Sequence, residues 1–232
     1  MIQIRRVINC LYHSPIVARV FHTLVYCLQR ELRDCQSVLD LGCGPDSPLQ
    51  FCRVQYSVGV DVFLPYLRSS AARGIHTAYI QGDISQLLFR PKSFDAVIMI
   101  DVLEHLSEEE GHALLRKAEC WARKRVIVTT PNGYLPQGAR GGNPYQAHRS
   151  GWSLATMRRL GYRAYGLAGL RFLHRENPLT PMEDPAAMFT TIRWRPWLFW
   201  LCICALTETV AYYIPQWSFE IFYVRETSPT LQ

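Results

Sequence analysis

Apolar residues recur every four positions from Ile16 to Leu32, at Ile16, Val20, Leu24, Leu28 and Leu32. That spacing predicts one amphipathic helix, with Pro15 placed for its first turn. After Asp34 the period changes. Five short apolar runs follow, Ser37–Leu41, Tyr56–Val60, Thr77–Gln81, Phe94–Ile100 and Val126–Thr130, each succeeded at once by glycine, aspartate or proline. A run such as FDAVIMI has no polar face, which predicts a strand covered on both sides. Helical stretches separate the runs. The clearest is Ser107–Lys124, where Ser107 and Glu110 have capping-box spacing ahead of Leu114, Leu115, Ala118 and Trp121. Further on, the pattern predicts a short helix over Trp152–Leu160, a strand over Tyr162–Leu167 and a last strand over Phe219–Arg225.

Strand and helix in alternation mean an α/β fold, doubly wound, with a parallel sheet between helices on both faces. Such sheets bind ligands outside the carboxyl ends of their strands. Gly42-Cys43-Gly44, Asp61, Gly82-Asp83, Asp101 and Pro131-Asn132-Gly133 each fall at one of those ends, so the site belongs on one edge of one sheet. The chain divides into an N-terminal helical cap (1–33), a ligand-binding core (34–170), an elaboration with a hydrophobic helix (171–216) and a last strand with its tail (217–232), all within a single domain.

Composition narrows the class. With 49% hydrophobic and 19% charged residues among 232, the chain is not disordered or low in complexity. Its formal charge is +6 and its pI is near 9.0. Only Lys92, Lys117 and Lys124 are lysines, so 25 − 3 = 22 basic residues are arginines. They are dispersed, which predicts solvated surface rather than a nucleic-acid groove. The eight cysteines form no C-x-x-C pair and have no zinc-ligand spacing. With no signal-peptide pattern at the start, reduced thiols and a cytoplasmic location are expected. Trp197–Leu206 is ten consecutive apolar residues, where a membrane span needs about 20. The leading expectation is a core or cap helix. A dimer surface, or an interfacial helix flanked by Arg193, Trp194 and Arg195 and making peripheral membrane contact, stays open.

The first strand ends in Asp40-Leu41-Gly42-Cys43-Gly44. Glycines let the backbone approach a ligand and turn into a helix. The dinucleotide fingerprint wants a further glycine where Ser47 stands, which argues against a pyrophosphate cradle. Asp61, closing the second strand, suits vicinal ribose hydroxyls. A carboxylate at Asp40 would repel a pyrophosphate yet suit the ammonium of an amino acid. Ribose and amino acid together describe S-adenosylmethionine.

In that order and spacing, VLDLGCGPDSPL, VGVDVF, GDIS, FDAVIMIDVLEHL and VIVTTPNG resemble the successive motifs of class I S-adenosylmethionine-dependent methyltransferases. The resemblance implies a seven-stranded, mostly parallel sheet: five parallel strands and a final antiparallel hairpin, with the N-terminal helix over the cofactor side. It implies that Asp40, Gly42 and Gly44 hold the methionine half and that Asp61 takes the ribose. Val62 or Phe63 would lie against the adenine, Asp83 and the Ile84 backbone would contact it, and Asp101 would line the methionine side. Asp46 stands where the family usually has its third glycine.

A hydroxyl acceptor needs a general base, and the candidates are His105, after the fourth strand, and His148, in the glycine-rich stretch after the fifth. The expected reaction is O-methylation of a small molecule or glycan, lipid-linked if the hydrophobic helix meets a membrane. The stretch Asp101-Val102-Leu103-Glu104-His105 also resembles ubiquinone-pathway O-methyltransferases and plant small-RNA 2′-O-methyltransferases. That likeness implies an alternative in which Glu104, His105 and His148 hold a divalent metal and RNA is the acceptor. A non-catalytic scaffold of the same fold is the other alternative. Asn143–Trp152 (NPYQAHRSGW) resembles, loosely, methyltransferases of glycan assembly; it is either a surface loop that Tyr145 and Trp152 anchor to the body or an acceptor lid.

Overall fold

The computed structural model describes residues 22–139, 142–174 and 193–227. Seven strands form one sheet: β1 (Ser37–Leu41), β2 (Tyr56–Asp61), β3 (Ala78–Gln81), β4 (Phe94–Ile100), β5 (Ala122–Pro131), β6 (Arg163–Leu170) and β7 (Ser218–Glu226). Their order across the sheet is β3-β2-β1-β4-β5-β7-β6. The first five are parallel, and β7 runs antiparallel between β5 and β6. The chain order reverses beside β1, where β2 lies on one side and β4 on the other, and this switch point opens a crevice at the carboxyl edge.

Alternate side chains feed two cores, as the pleat dictates. Leu39, Leu41, Val97, Met99, Val126 and Val128 pack with Leu114, Leu115, Ala118 and Trp121 of α3 (Glu108–Trp121). On the other face Val38, Ala96, Ile98 and Ile127 meet Leu28 and Leu32 of α1 (Leu24–Leu32), and Tyr212 of a later helix. Both faces of β4 are buried, hence its unbroken apolar run.

Three expectations change. The N-terminal helix begins at Leu24, capped by Thr23, because His22 sits at φ +48° and breaks the turn; residues 16–21 lie outside the described residues. The expected placement of this helix over the cofactor side does not hold for the described part, which packs its buried face under the sheet. Helix α3 stops at Trp121 rather than Lys124, since Ala122 is already extended and opens β5. The capping box of Ser107 and Glu110 forms as predicted. Between β2 and β3 lies α2 (Leu64–Ala72), and α4 (Leu154–Arg159) precedes β6.

The ten-residue apolar run belongs to a longer helix, α5 (Trp197–Tyr213). It lies on β6, where Gly166 and Gly169 admit Ala211 and Cys204: a Cβ on Gly166 would come within 2.1 Å of the Ala211 carbonyl oxygen. Cys204, Ala211 and Tyr212 are buried, while Leu206, Val210 and Tyr213 are exposed. Among the described residues no helix is long and apolar enough to cross a membrane.

Candidate active site

A cleft opens at the carboxyl ends of β1, β2 and β4. Gly42 and Gly44 form its floor, and Asp61, Val62, Asp83, Ile84 and Asp101 reach it from successive strand ends. Both glycines have positive φ, +67° and +59°, which residues with a Cβ adopt at a cost. Gly42 is doubly constrained, because a Cβ would lie 2.6 Å from Val102 Cγ2. Gly44 is different: nothing lies within 4 Å of where its Cβ would be, so its bare backbone borders open space.

Asp61 organises this loop. Its Oδ2 accepts the Gly44 N–H at 2.9 Å and its Oδ1 the Phe63 N–H at 2.8 Å. Burial raises its pKa, against the opposing pull of the two N–H groups. A carboxylate has about four acceptor sites, so each oxygen keeps one for a ligand. A nucleoside with vicinal hydroxyls fits this donor-hungry, glycine-floored crevice.

At the β4 end, Asp101 takes φ +52°, unusual for a non-glycine residue. Thr129 holds it there. The Asp101 N–H points to Thr129 Oγ1 (3.1 Å) and the Thr129 hydroxyl donates to Asp101 Oδ1 (2.9 Å). The chain then makes a tight turn, Leu103–His105, before α3. His105 lines the cleft and meets His148 edge to face, with ring centroids 4.9 Å apart. Each turns Nδ1 to a carbonyl oxygen, Ala147 at 3.3 Å and Leu135 at 2.6 Å. Carbonyls only accept, so each Nδ1 carries the proton and a neutral ring keeps its lone pair on Nε2. Burial, helped by His148, lowers the His105 pKa to about 4. Glu104 is buried, and its Oε2 has no hydrogen-bond partner among the described residues. Burial and the neighbouring Asp101 carboxylate push its carboxyl well above the usual range. One atom each of Glu104, His105 and His148 lie within 4.8 Å of one another.

The segment after β5 closes the far wall. Gly133 pairs with Trp152 as an isolated antiparallel bridge, joining the two ends of the excursion between them. Trp152 is fully buried and its Nε1 donates to Ser150 Oγ, which donates on to the Leu103 carbonyl. The Arg149 and Ser150 N–H groups both reach the Glu104 carbonyl, at 2.7 and 3.1 Å. Asn143, Tyr145, Gln146 and Arg149 thereby line the cleft, with Arg149 paired to Glu110 at 2.9 Å.

A family model described as a methyltransferase domain matches residues 39–128, the stretch that supplies most of the cleft. Residues 39–128 form a methyltransferase domain. A SAM-dependent methyltransferase from Archaeoglobus fulgidus is 16% identical over 91% of this chain and 98% of its own, with a TM-score of 0.51. The methyltransferase domain of a bacterial CtHen1 is 18% identical over 90% and 100%, with a TM-score of 0.52. At these identities the likeness is one of fold, a Rossmann-like sheet. The PH0226 protein of Pyrococcus horikoshii OT3 is 24% identical over 51% of this chain, with a TM-score of 0.43, and the match spans 60% of its length. No curated protein matches the sequence.

Within this methyltransferase domain most of the expected cofactor residues meet at one cleft, and two do not. Gly42, Gly44, Asp61, Val62, Asp83, Ile84 and Asp101 line it. Phe63 is turned away; it precedes α2 and packs edge-on against Tyr66 at 4.9 Å, and Tyr66 takes the cleft position instead. Asp40, expected at the methionine ammonium, is 1% exposed and spends Oδ2 on Ser47 Oγ (2.5 Å) and His76 Nε2 (2.9 Å). Tyr66 and Glu110 were not foreseen from sequence. Tyr66 lies in the first turn of α2, which follows Asp61 closely in the chain, whereas Glu110 was read only as a cap.

Proposed function

We propose that this methyltransferase transfers a methyl group to a hydroxyl of a small molecule or glycan, with His105 as general base and His148 setting its orientation. The observation that carries the reading is the pair of imidazoles that meet edge to face beside the cleft, each with Nδ1 turned to a backbone carbonyl. S-adenosylmethionine, when bound, supplies a methyl group on a positively charged sulfur. Asp61 would take its ribose hydroxyls, Val62 and Ile84 would flank the adenine with Asp83 near its amine, and the backbone at Gly42 and Gly44 with Asp101 would serve the amino-acid end. The protein's remaining task is alignment, which contributes roughly 7–11 kcal/mol in well-oriented systems. Tyr145 and Gln146, on the docked wall, offer an aromatic face and an amide suited to a sugar ring. In this reading His105 Nε2 receives the hydroxyl proton as the oxygen attacks.

The test is transfer of labelled methyl from S-adenosylmethionine to a panel of saccharides, small hydroxylated compounds and RNA. Label on a saccharide or small-molecule hydroxyl is the expected result. Label on RNA alone, with the steep salt dependence that phosphate contacts impose, would replace it.

A second reading rests on Glu104, His105 and His148, whose ligand atoms cluster within 4.8 Å. Nδ1 bonds to carbonyls are how metal-binding histidines are commonly oriented, and an orphaned buried carboxylate oxygen suits a cation. In this reading the three side chains hold a divalent cation near the acceptor hydroxyl. Calorimetric titration with magnesium, manganese and zinc decides. Binding lost in Glu104→Gln, with chelator-sensitive transfer, supports the metal. Full transfer in chelator, with no heat of binding, leaves His105 as the base.

A further inference from the structure

Asp40 is the penultimate residue of β1, two positions before Gly42, yet it is 1% exposed and does not line the cleft. Its Oδ2 accepts two hydrogen bonds. Ser47, seven residues on and at the start of the short turn Pro48–Phe51, donates its hydroxyl at 2.5 Å. His76, just before β3, presents Nε2 at 2.9 Å. Both donors are buried, the His76 side chain completely. On the far side of the ring, Nδ1 lies 3.4 Å from Ser70 Oγ of α2. The backbone around the histidine is fixed as well: its N–H donates to Tyr79 Oη at 2.8 Å, and the Tyr79 hydroxyl donates to the Ser70 carbonyl at 3.0 Å.

The sheet makes room for this ring. Gly59 on β2 is the residue opposite Asp40 in the β1–β2 register. A Cβ there would stand 2.8 Å from His76 Nδ1 and 3.1 Å from Cys43 Sγ. His76 therefore threads over β2 through the gap that a glycine leaves and reaches the base of the loop from the β3 side. The loop residues 42–47 are then held at two points. Asp61 grips the Gly44 N–H, and Asp40 grips Ser47 where the loop turns into the next element.

We propose that His76 is a positioning residue for the cofactor: through Asp40 and Ser47 it fixes the glycine loop in the shape that receives the nucleoside, and Asp40 itself is not a cofactor ligand. The inference rests on S-adenosylmethionine occupying the cleft described above. It differs from a direct role for Asp40 in one respect. A carboxylate that held the ammonium would matter only to ligands with the amino-acid end. A loop brace matters to any nucleoside that lies on Gly44 and Asp61.

The experiment is calorimetry on the full chain with S-adenosylhomocysteine and with 5′-methylthioadenosine, which lacks the amino-acid end. His76→Leu removes the donor; His76→Gln keeps an N–H at the Nε2 position. His76→Leu is expected to weaken both ligands at least tenfold and by similar factors, and His76→Gln to restore most of the affinity for both. Ser47→Ala, which leaves the ring in place and tests the other end of the brace should His76→Leu fail to fold, is expected to weaken both ligands alike. Equal affinities in wild type and His76→Leu would overturn the inference. So would a loss confined to S-adenosylhomocysteine, which would return Asp40 to the ammonium, or a failure of His76→Gln to recover binding beyond the level of His76→Leu. If wild type binds neither ligand, the cofactor reading falls and this inference with it.

Discussion

The rings of His105 and His148 meet edge to face with centroids 4.9 Å apart, one from the turn after β4 and the other from the segment after β5. Backbone carbonyls hold both Nδ1 atoms, so the chemistry of the pair is concentrated on Nε2. Burial keeps His105 neutral down to a pKa of about 4. His105→Asn keeps a donor for the Ala147 carbonyl and deletes Nε2. Methyl transfer should fall about 10²–10⁴-fold, while the calorimetric affinity for S-adenosylmethionine changes little. Unchanged turnover would clear His105 of the role of base.

Asp61→Ala tests the ribose site. The substitution removes the acceptor for ribose and also frees the Gly44 N–H that shapes the loop. Cofactor affinity should drop at least tenfold, about 1.4 kcal/mol or more. Equal dissociation constants would show that the nucleoside lies elsewhere.

Gly111 in α3 reverses the usual rule of helix propensity. Alanine for glycine inside a helix normally gains about 1 kcal/mol. Here a Cβ would lie 2.3 Å from Cζ2 of the fully buried Trp152, and overpacking costs about 1–3 kcal/mol. Gly111→Ala should therefore lower stability in urea unfolding. It should also loosen the segment that carries His148, because Trp152 anchors it. A gain in stability would contradict the packing.

Asp95 staples β4 to the start of β1, accepting the Gln36 and Ser37 N–H groups at 2.8 and 3.2 Å and Arg123 Nε at 2.9 Å. Burial raises its pKa, but these donors outweigh it and the net shift is downward from 3.8. A carboxyl lowered in the fold contributes stability that is complete above its unfolded pKa and disappears as pH falls through the folded one. Asp95→Ala should cost about 2–4 kcal/mol at neutral pH, largely from orphaned N–H groups. The part due to charge should shrink below a pH of about 3.8. Urea unfolding of both proteins across the acid range measures it. A deficit that does not change with pH would mean the carboxylate charge is not what the donors stabilise.

The parallel half of the sheet was legible because its strands are buried on both faces, and such strands read as apolar runs. The start of β5 was not. Arg123, Lys124 and Arg125 show no apolar signature, yet Arg125 pairs with Glu226 of β7 and bonds Asp34 across the sheet's end. The residues that line the cleft from the strand ends were legible because they stand at or just after the ends of their strands. Asp40 shows where that reasoning stops: its partner His76 stands just before β3, 36 residues away, and no local spacing connects them. The stretch Asn143–Trp152 was visible only as a motif, since what docks it is the Leu103 and Glu104 carbonyls of the turn Leu103–His105.

The bridge between Gly133 and Trp152 fixes the two ends of the stretch between them against each other. In the proposed reading the donor is gripped from the strand ends and the acceptor from this stretch, so the two grips come from separate parts of the chain.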